Sequence, residues 1–358
     1  MVLENKRYVP TLAIRPSEMN GLERLPGATK DRMTPCILLA PWVNANTLDK
    51  AMDRAEQAFH GRNYILDIDR GYQFTNLESG PQQELAQLMQ PDNAYENWVE
   101  FVRQHEKAWP CIQSRNQSTA ELRQQIKAFQ EIGRPYCIRI VRDRFPNNMQ
   151  EIVSACTADG PADFVIILEG GWTRDPLTLS VWFQGVVAES FRDLDAAVPV
   201  VVSCTSIPKT FSNFSGVTEV LFSNRQLVDQ ISRQTNRTRV IYGDWGSTQP
   251  REGNGFARRP YDRIDYPTEG AWYIVRNNEK KWDFKAVAKE LVDNSGVWRG
   301  DLGIWGEDMI FHTTISKELG IDTPLKNVAA RINIHLHRQA FYGQPDLAAL
   351  DFDEDWVD

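Results

Sequence analysis

The sequence predicts an α/β fold: a TIM-barrel-like (β/α)8 barrel over residues 1–250, carrying a C-terminal helical appendage over residues 251–358. Three observations predict it. Eight short β-rich runs alternate with amphipathic helical runs, the pattern of a parallel sheet. Several of these runs are apolar at consecutive positions, as strands covered on both faces require. The alternation occupies residues 7 to about 250, a length that suits closure of such a barrel. An open doubly wound parallel sheet is the alternative, because strand count alone does not establish closure.

The runs, in order, are RYVPTLAIR (7–15), TPCILLAPW (34–42), NYILDID (63–69), WPCIQS (109–114), PYCIRIV (135–141), DFVIILE (163–169), VPVVVSC (198–204) and RVIYGD (239–244). Their length and β-branched content suit buried strands. Residues 47–62 read as a helix, with Asn46 or Thr47 as N-cap and Gly61 as its end. Over 118–133, Ser118 supplies a cap, Leu122, Ile126, Phe129 and Ile132 form an apolar stripe, and Gly133 closes the helix. Helices at 177–194 and 224–235 fill later gaps. Beyond residue 250 come a Gly- and Arg-rich loop, a strand at 270–276, and helices at 284–295, 306–319 and about 325–342. Trp272, Trp282, Trp298 and Trp305 concentrate in this part and are expected to pack the appendage against the barrel.

The chain has 358 residues, 42% of them hydrophobic and 25% charged, which allows a sizeable core without disulfides or metals. No apolar run approaches the ~18 residues needed to span a bilayer, and the N-terminus carries no secretory apolar region. A cytoplasmic protein with no membrane partner is expected. Cys36, Cys111, Cys137, Cys156 and Cys204 contain no C-x-x-C pair and suit small buried hydrophobes in a reducing compartment. The net charge of -8 argues against nucleic-acid binding by the surface as a whole. The tail LDFDEDWVD concentrates five acids and reads as a frayed, solvated end, with partner docking or nucleic-acid mimicry as the alternative.

In a (β/α)8 barrel, function sits where the strands end and the βα loops begin. That rule selects Arg15, Trp42, Asp67, Asp69, Ser114, Arg115, Arg139, Arg142, Glu169, Ser203 to Ser206, and Asp244. Asp67 and Asp69 lie two apart in one strand and share a face, opposite Tyr64, Leu66 and Ile68. With Glu169 and Asp244, Asp69 is a candidate catalytic and metal-ligating group, for Mg²⁺ or Mn²⁺ bound through carboxylate oxygens. A raised-pKa acid paired with an ionised base is a second use of the same acids. A buried structural pair of Asp67 with Arg139 or Arg15 is a third.

Arg139 stands inside CIRIV, where an apolar residue is expected, so it needs a carboxylate or an anionic ligand. Arg142 and Arg144 extend it toward a phosphate-binding rim. Ser206 and Lys209, in the hydroxyl-rich SCTSIPKTFSNF, add a second weak phosphate signal. Arg251, Arg258, Arg259 and Arg263, interleaved with Phe256 and Tyr261, form the one dense basic patch and suit nucleic-acid phosphates, the acidic tail or the barrel mouth. No histidine falls at a strand end, which disfavours histidine-rich zinc sites, and no G-x-S-x-G elbow or phosphate-binding glycine fingerprint occurs. His335 and His337, two apart on an expected helix, suit separate packing or polar contacts.

YVPTLAIRPSEMNGLERL, MTPCILLAPW, SCTSIPKTFSNF, YGDWGSTQP and the late GEDMI…RINIHLHRQ together resemble the beta protein family of bacteria and phages, in order and over nearly the whole chain. The resemblance implies a TIM-barrel-like fold and a phage or mobile-element setting, such as phage defence, more than a reaction. The sequence therefore leads to a barrel that binds an anionic ligand, nucleic acid or a protein partner at its strand-end face. The alternatives are a carboxylate- and metal-dependent hydrolase of phosphodiester-type substrates and a non-catalytic interaction scaffold. Oligomeric state is not legible.

Overall fold

The computed structural model describes residues 3–158, 163–222, 224–251, 262–278 and 282–349. All eight expected strands form. They are β1 (Tyr8–Ala13), β2 (Cys36–Leu39), β3 (Tyr64–Ile68), β4 (Ala108–Pro110), β5 (Tyr136–Val141), β6 (Phe164–Trp172), β7 (Val200–Thr205) and, after an additional strand β8 (Gly216–Leu221), β9 (Val240–Asp244). They hydrogen-bond in the order β4-β3-β2-β1-β9-β7-β6-β5, every pair parallel. The two end strands meet through a parallel bridge between Cys111 and Cys137, where the Ile112 N–H donates to the Cys137 carbonyl at 2.8 Å. The ring all but closes, so the architecture is the (β/α)8 barrel and not the open sheet.

One apolar cluster, including Val9, Leu38, Ile65, Trp109, Cys137, Ile167, Val201 and Ile241, draws on all eight barrel strands. Only the barrel interior allows that. The alternate positions, such as Leu12, Ile37, Leu66, Ile138 and Tyr242, belong to the larger core beneath the helices. Gly243 occupies an inward place in β9, where a Cβ would come within 2.8 Å of Val201 Cγ1 and 2.9 Å of the Val9 carbonyl. A glycine is needed there for close strand packing, while the left-handed turn falls at Gly246, with φ 54°. All five cysteines are free and buried.

The helices follow local chemistry. Helix Thr119–Glu131 begins on a capping box in which Ser118 accepts from the Glu121 N–H and the Glu121 carboxylate accepts from the Ser118 N–H. Leu122, Ile126 and Phe129 bury its apolar face, and Gly133 ends it at φ 68°. Helix Asp49–Ala58 is not capped by Asn46 or Thr47; the Leu48 N–H donates instead to the Glu84 carboxylate at 2.6 Å, from the neighbouring helix Gly80–Leu88. Among the described residues no helix is long and apolar enough to cross a membrane.

Past the barrel, β10 (Ile264–Pro267) and β11 (Ala271–Arg276) form an antiparallel hairpin, and β8 adds to β11. The small sheet thus takes one strand from the segment following β7 and two from beyond residue 250. Trp272 is buried against Phe222, and Trp282, Trp298 and Trp305 pack on the main core. The long helix Pro324–Ala340 lies against helix Pro16–Glu23, where the Asn333 side chain donates to the Gly21 carbonyl at 3.0 Å.

Candidate functional site at the barrel mouth

Alternation along β3 sends Ile65 and Asp67 inward and Tyr64, Leu66 and Ile68 toward the helices. Asp67 Oδ2 accepts from Arg139 Nη1 at 3.1 Å, and Oδ1 accepts from Gln113 Nε2 at 2.9 Å. The Arg139 side chain, reaching in from β5, is only 5% exposed. Burial works against its charge, but neighbouring groups, Asp67 foremost, outweigh that cost, and its pKa rises above the ordinary arginine value. Its guanidinium stands 5.8 Å from the centre of the Trp245 ring. Arg139 Nε finds no hydrogen-bond partner among the described residues.

Above this pair a cavity of about 690 Å³ opens between the ends of β3, β4 and β5. Asp67, Arg70, Gln113, Arg115, Arg139 and Arg144 supply its charged and polar wall, and Met89, Ile112, Val141, Phe145 and Pro146 its apolar wall. Arg70 is anchored, donating to Gln113 Oε1 at 2.7 Å. Tyr95, which donates to the Arg115 carbonyl at 3.1 Å, lies under the Arg70 guanidinium. Arg144 and Arg115 make no side-chain hydrogen bond or ion pair among the described residues. Partial desolvation, and next the Arg139 charge, pull the Arg144 pKa down.

The other strand-end acids are occupied separately. Glu169 is fully buried and accepts from the Gly171 N–H at 2.8 Å and Ser203 Oγ at 2.9 Å. Asp69 pairs with Arg251 and accepts from the Gly71 N–H at 3.0 Å. Asp244 lies apart from both. In β9, Ile241 and Trp245 take the inward places, so Asp244 points outward with Tyr242. There it accepts from Tyr8 at 2.5 Å, Tyr242 at 2.8 Å, the Gly246 N–H at 2.8 Å and His335 Nε2 at 2.7 Å. Burial alone would raise its pKa; His335 and these hydrogen bonds reverse that and lower it. Trp245 plugs the barrel. Asp69, Glu169 and Asp244 therefore do not converge on a shared Mg²⁺ or Mn²⁺. Among the described residues no three His, Cys, Asp or Glu side chains are grouped to hold a metal ion.

The sequence profile of the beta protein family matches residues 8–341. The chain belongs to the beta protein family. It is also 25% identical over 365 aligned positions to Protein beta of Enterobacteria phage P4, covering 98% of each chain.

In this beta protein family member the remaining candidate residues are dispersed. Arg15 reaches Glu18 at 3.4 Å, and with Trp42, Tyr72 and Arg251 it lines a separate cavity of about 310 Å³. Arg251 and Arg139 thus face different concavities. Arg142 sits in the turn after β5 but not on the large cavity's wall, which Arg144 occupies. Ser206 Oγ donates to Asn224 Oδ1 at 3.3 Å, and Lys209 lies over the Trp172 ring at 4.6 Å. Arg263 is committed to Asp265 at 2.9 Å and stacks on Phe211. Arg258, Arg259 and the acidic tail lie outside the described residues. His337 Nε2 donates to the Ala348 carbonyl and Nδ1 pairs with Thr29 Oγ1, both at 2.8 Å, while His335 serves Asp244. Arg70, Gln113 and Phe145 were not singled out from sequence; Arg70 and Gln113 each lie just past a strand end, a signal that was available.

Proposed function

We propose that this beta protein family member binds an anionic ligand in the cavity over β3, β4 and β5. The observation that carries this reading is Arg139: a nearly buried guanidinium on the cavity wall, engaged by one carboxylate and with Nε unpartnered among the described residues. Arg70, Arg115 and Arg144 join it against the single acid Asp67, on a chain whose net charge is -8. A cluster of like charges on one wall is costly unless an anion neutralises it. The phage P4 relative supports a phage or mobile-element setting, and the five free buried cysteines support the reducing cytoplasm. Titration calorimetry with inorganic phosphate at low salt tests the reading. Phosphate should bind with an affinity that falls on adding salt, and Arg144→Ala should weaken it; heat-silent titrations with no thermal shift would remove it.

A further inference from the structure

The cavity is larger and less uniform than an inorganic anion requires. At about 690 Å³ it falls within the ~300–1,000 Å³ range of pockets that enclose whole small molecules. Its arginines share the lining with Phe145, Pro146 and Met89, and Phe145 follows Arg144 directly in the chain. Phe145 is 39% exposed, and its ring is held by an edge contact with Trp182, centroids 6.3 Å apart at 82°. A fixed, half-exposed aromatic ring beside a cationic wall is a stacking platform next to a phosphate site. At the rim, the side chains of Asn116 and Asn147 make no hydrogen bond among the described residues and carry the donors and acceptors that a base edge would meet.

We infer that the ligand is a free nucleoside phosphate, its phosphate against Arg139 and Arg144 and its base against Phe145. This rests on the anion-binding reading above. Wild type, Arg144→Ala and Phe145→Ala, all in the full chain, are titrated with inorganic phosphate, the four common nucleoside 5′-monophosphates, and a ten-nucleotide single-stranded DNA. Both substituted side chains are exposed, so circular dichroism should show unchanged folds. At least one monophosphate should bind roughly tenfold or more tightly than phosphate, and Phe145→Ala should abolish that advantage, since the base stack supplies it. Arg144→Ala should weaken phosphate and nucleotide alike.

If phosphate binds as well as every nucleotide and Phe145→Ala changes nothing, the nucleotide assignment falls while anion binding stands. If the oligonucleotide binds far more tightly than any monophosphate, the occupant is a nucleic-acid strand and the assignment also falls. If neither phosphate nor nucleotide binds, both readings fall together.

Discussion

Asp67 and Asp244 each lie near the end of an apolar strand of the same barrel, and both are buried, yet their surroundings differ. Asp244 turns outward into a sealed pocket and accepts from four donors, one of them on the helix Pro324–Ala340. Asp67 turns inward at an open mouth, where it meets a single cation amid several. Completing an acid's partners within the fold makes a tie between layers. Leaving the surrounding cations in excess is what the proposed anion would answer. Strand position alone does not separate the two; the inward or outward phase of the side chain does.

The contrast can be broken at its closed side first. Asp244→Ala strands Tyr8, Tyr242 and His335 in a buried pocket and should cost about 3–5 kcal/mol in urea unfolding. A loss under about 1 kcal/mol would mean the pocket is not sealed. The helix Pro324–Ala340, which closes that pocket, should also make the fold acid-sensitive through a second histidine. Burial holds the His337 imidazole at a pKa of about 4, below its ordinary 6.5. The unfolded chain therefore takes up this proton first as pH falls, and stability should decline by roughly 3 kcal/mol between pH 6.5 and pH 4, then level off. Replacing His337 with Gln should flatten that slope in unfolding measured across the same range.

At the open side the effects on stability should be smaller and those on binding larger. Asp67→Asn keeps an acceptor for Arg139 but removes the charge, so stability should fall by about 2 kcal/mol while phosphate affinity rises severalfold. A variant that loses affinity would show that Asp67 positions Arg139 more than it competes with the ligand. Arg144→Ala should leave stability within about 0.5 kcal/mol of wild type. Its phosphate affinity should fall about tenfold, equivalent to about 1.4 kcal/mol.

How much of this was legible follows from the same physics. The barrel strands stand out in the sequence because strands buried on both faces are short apolar runs. β8 does not, since Val217 and Thr218 are only partly buried, Glu219 and Leu221 are exposed, and the strand follows a hydroxyl-rich loop. Arg139 and Asp67 were visible as charges inside apolar strands, and their pairing was among the expectations. The outward phase of Asp244 was not legible, because the run VIYGDW offers no alternation from which to read it. His335, its partner, lies 91 residues further on, beyond the reach of any local pattern. The wall formed by Arg70, Gln113 and Phe145 depends on three different βα loops meeting, which only the closed ring brings about.

The tie at Asp244 also bears on how the protein is made. A chain leaves the ribosome N-terminus first. Tyr8 must wait for β9 before the β1–β9 seam can zip, and that seam places a carboxylate under the helical layer. The imidazole that completes its partners is translated 91 residues later, on the Pro324–Ala340 helix. Until then the nascent barrel carries a buried charge with an incomplete set of donors. Ribosome-stalled chains of increasing length, probed by protease, should stay cleavable near β9 until that helix has emerged from the exit tunnel.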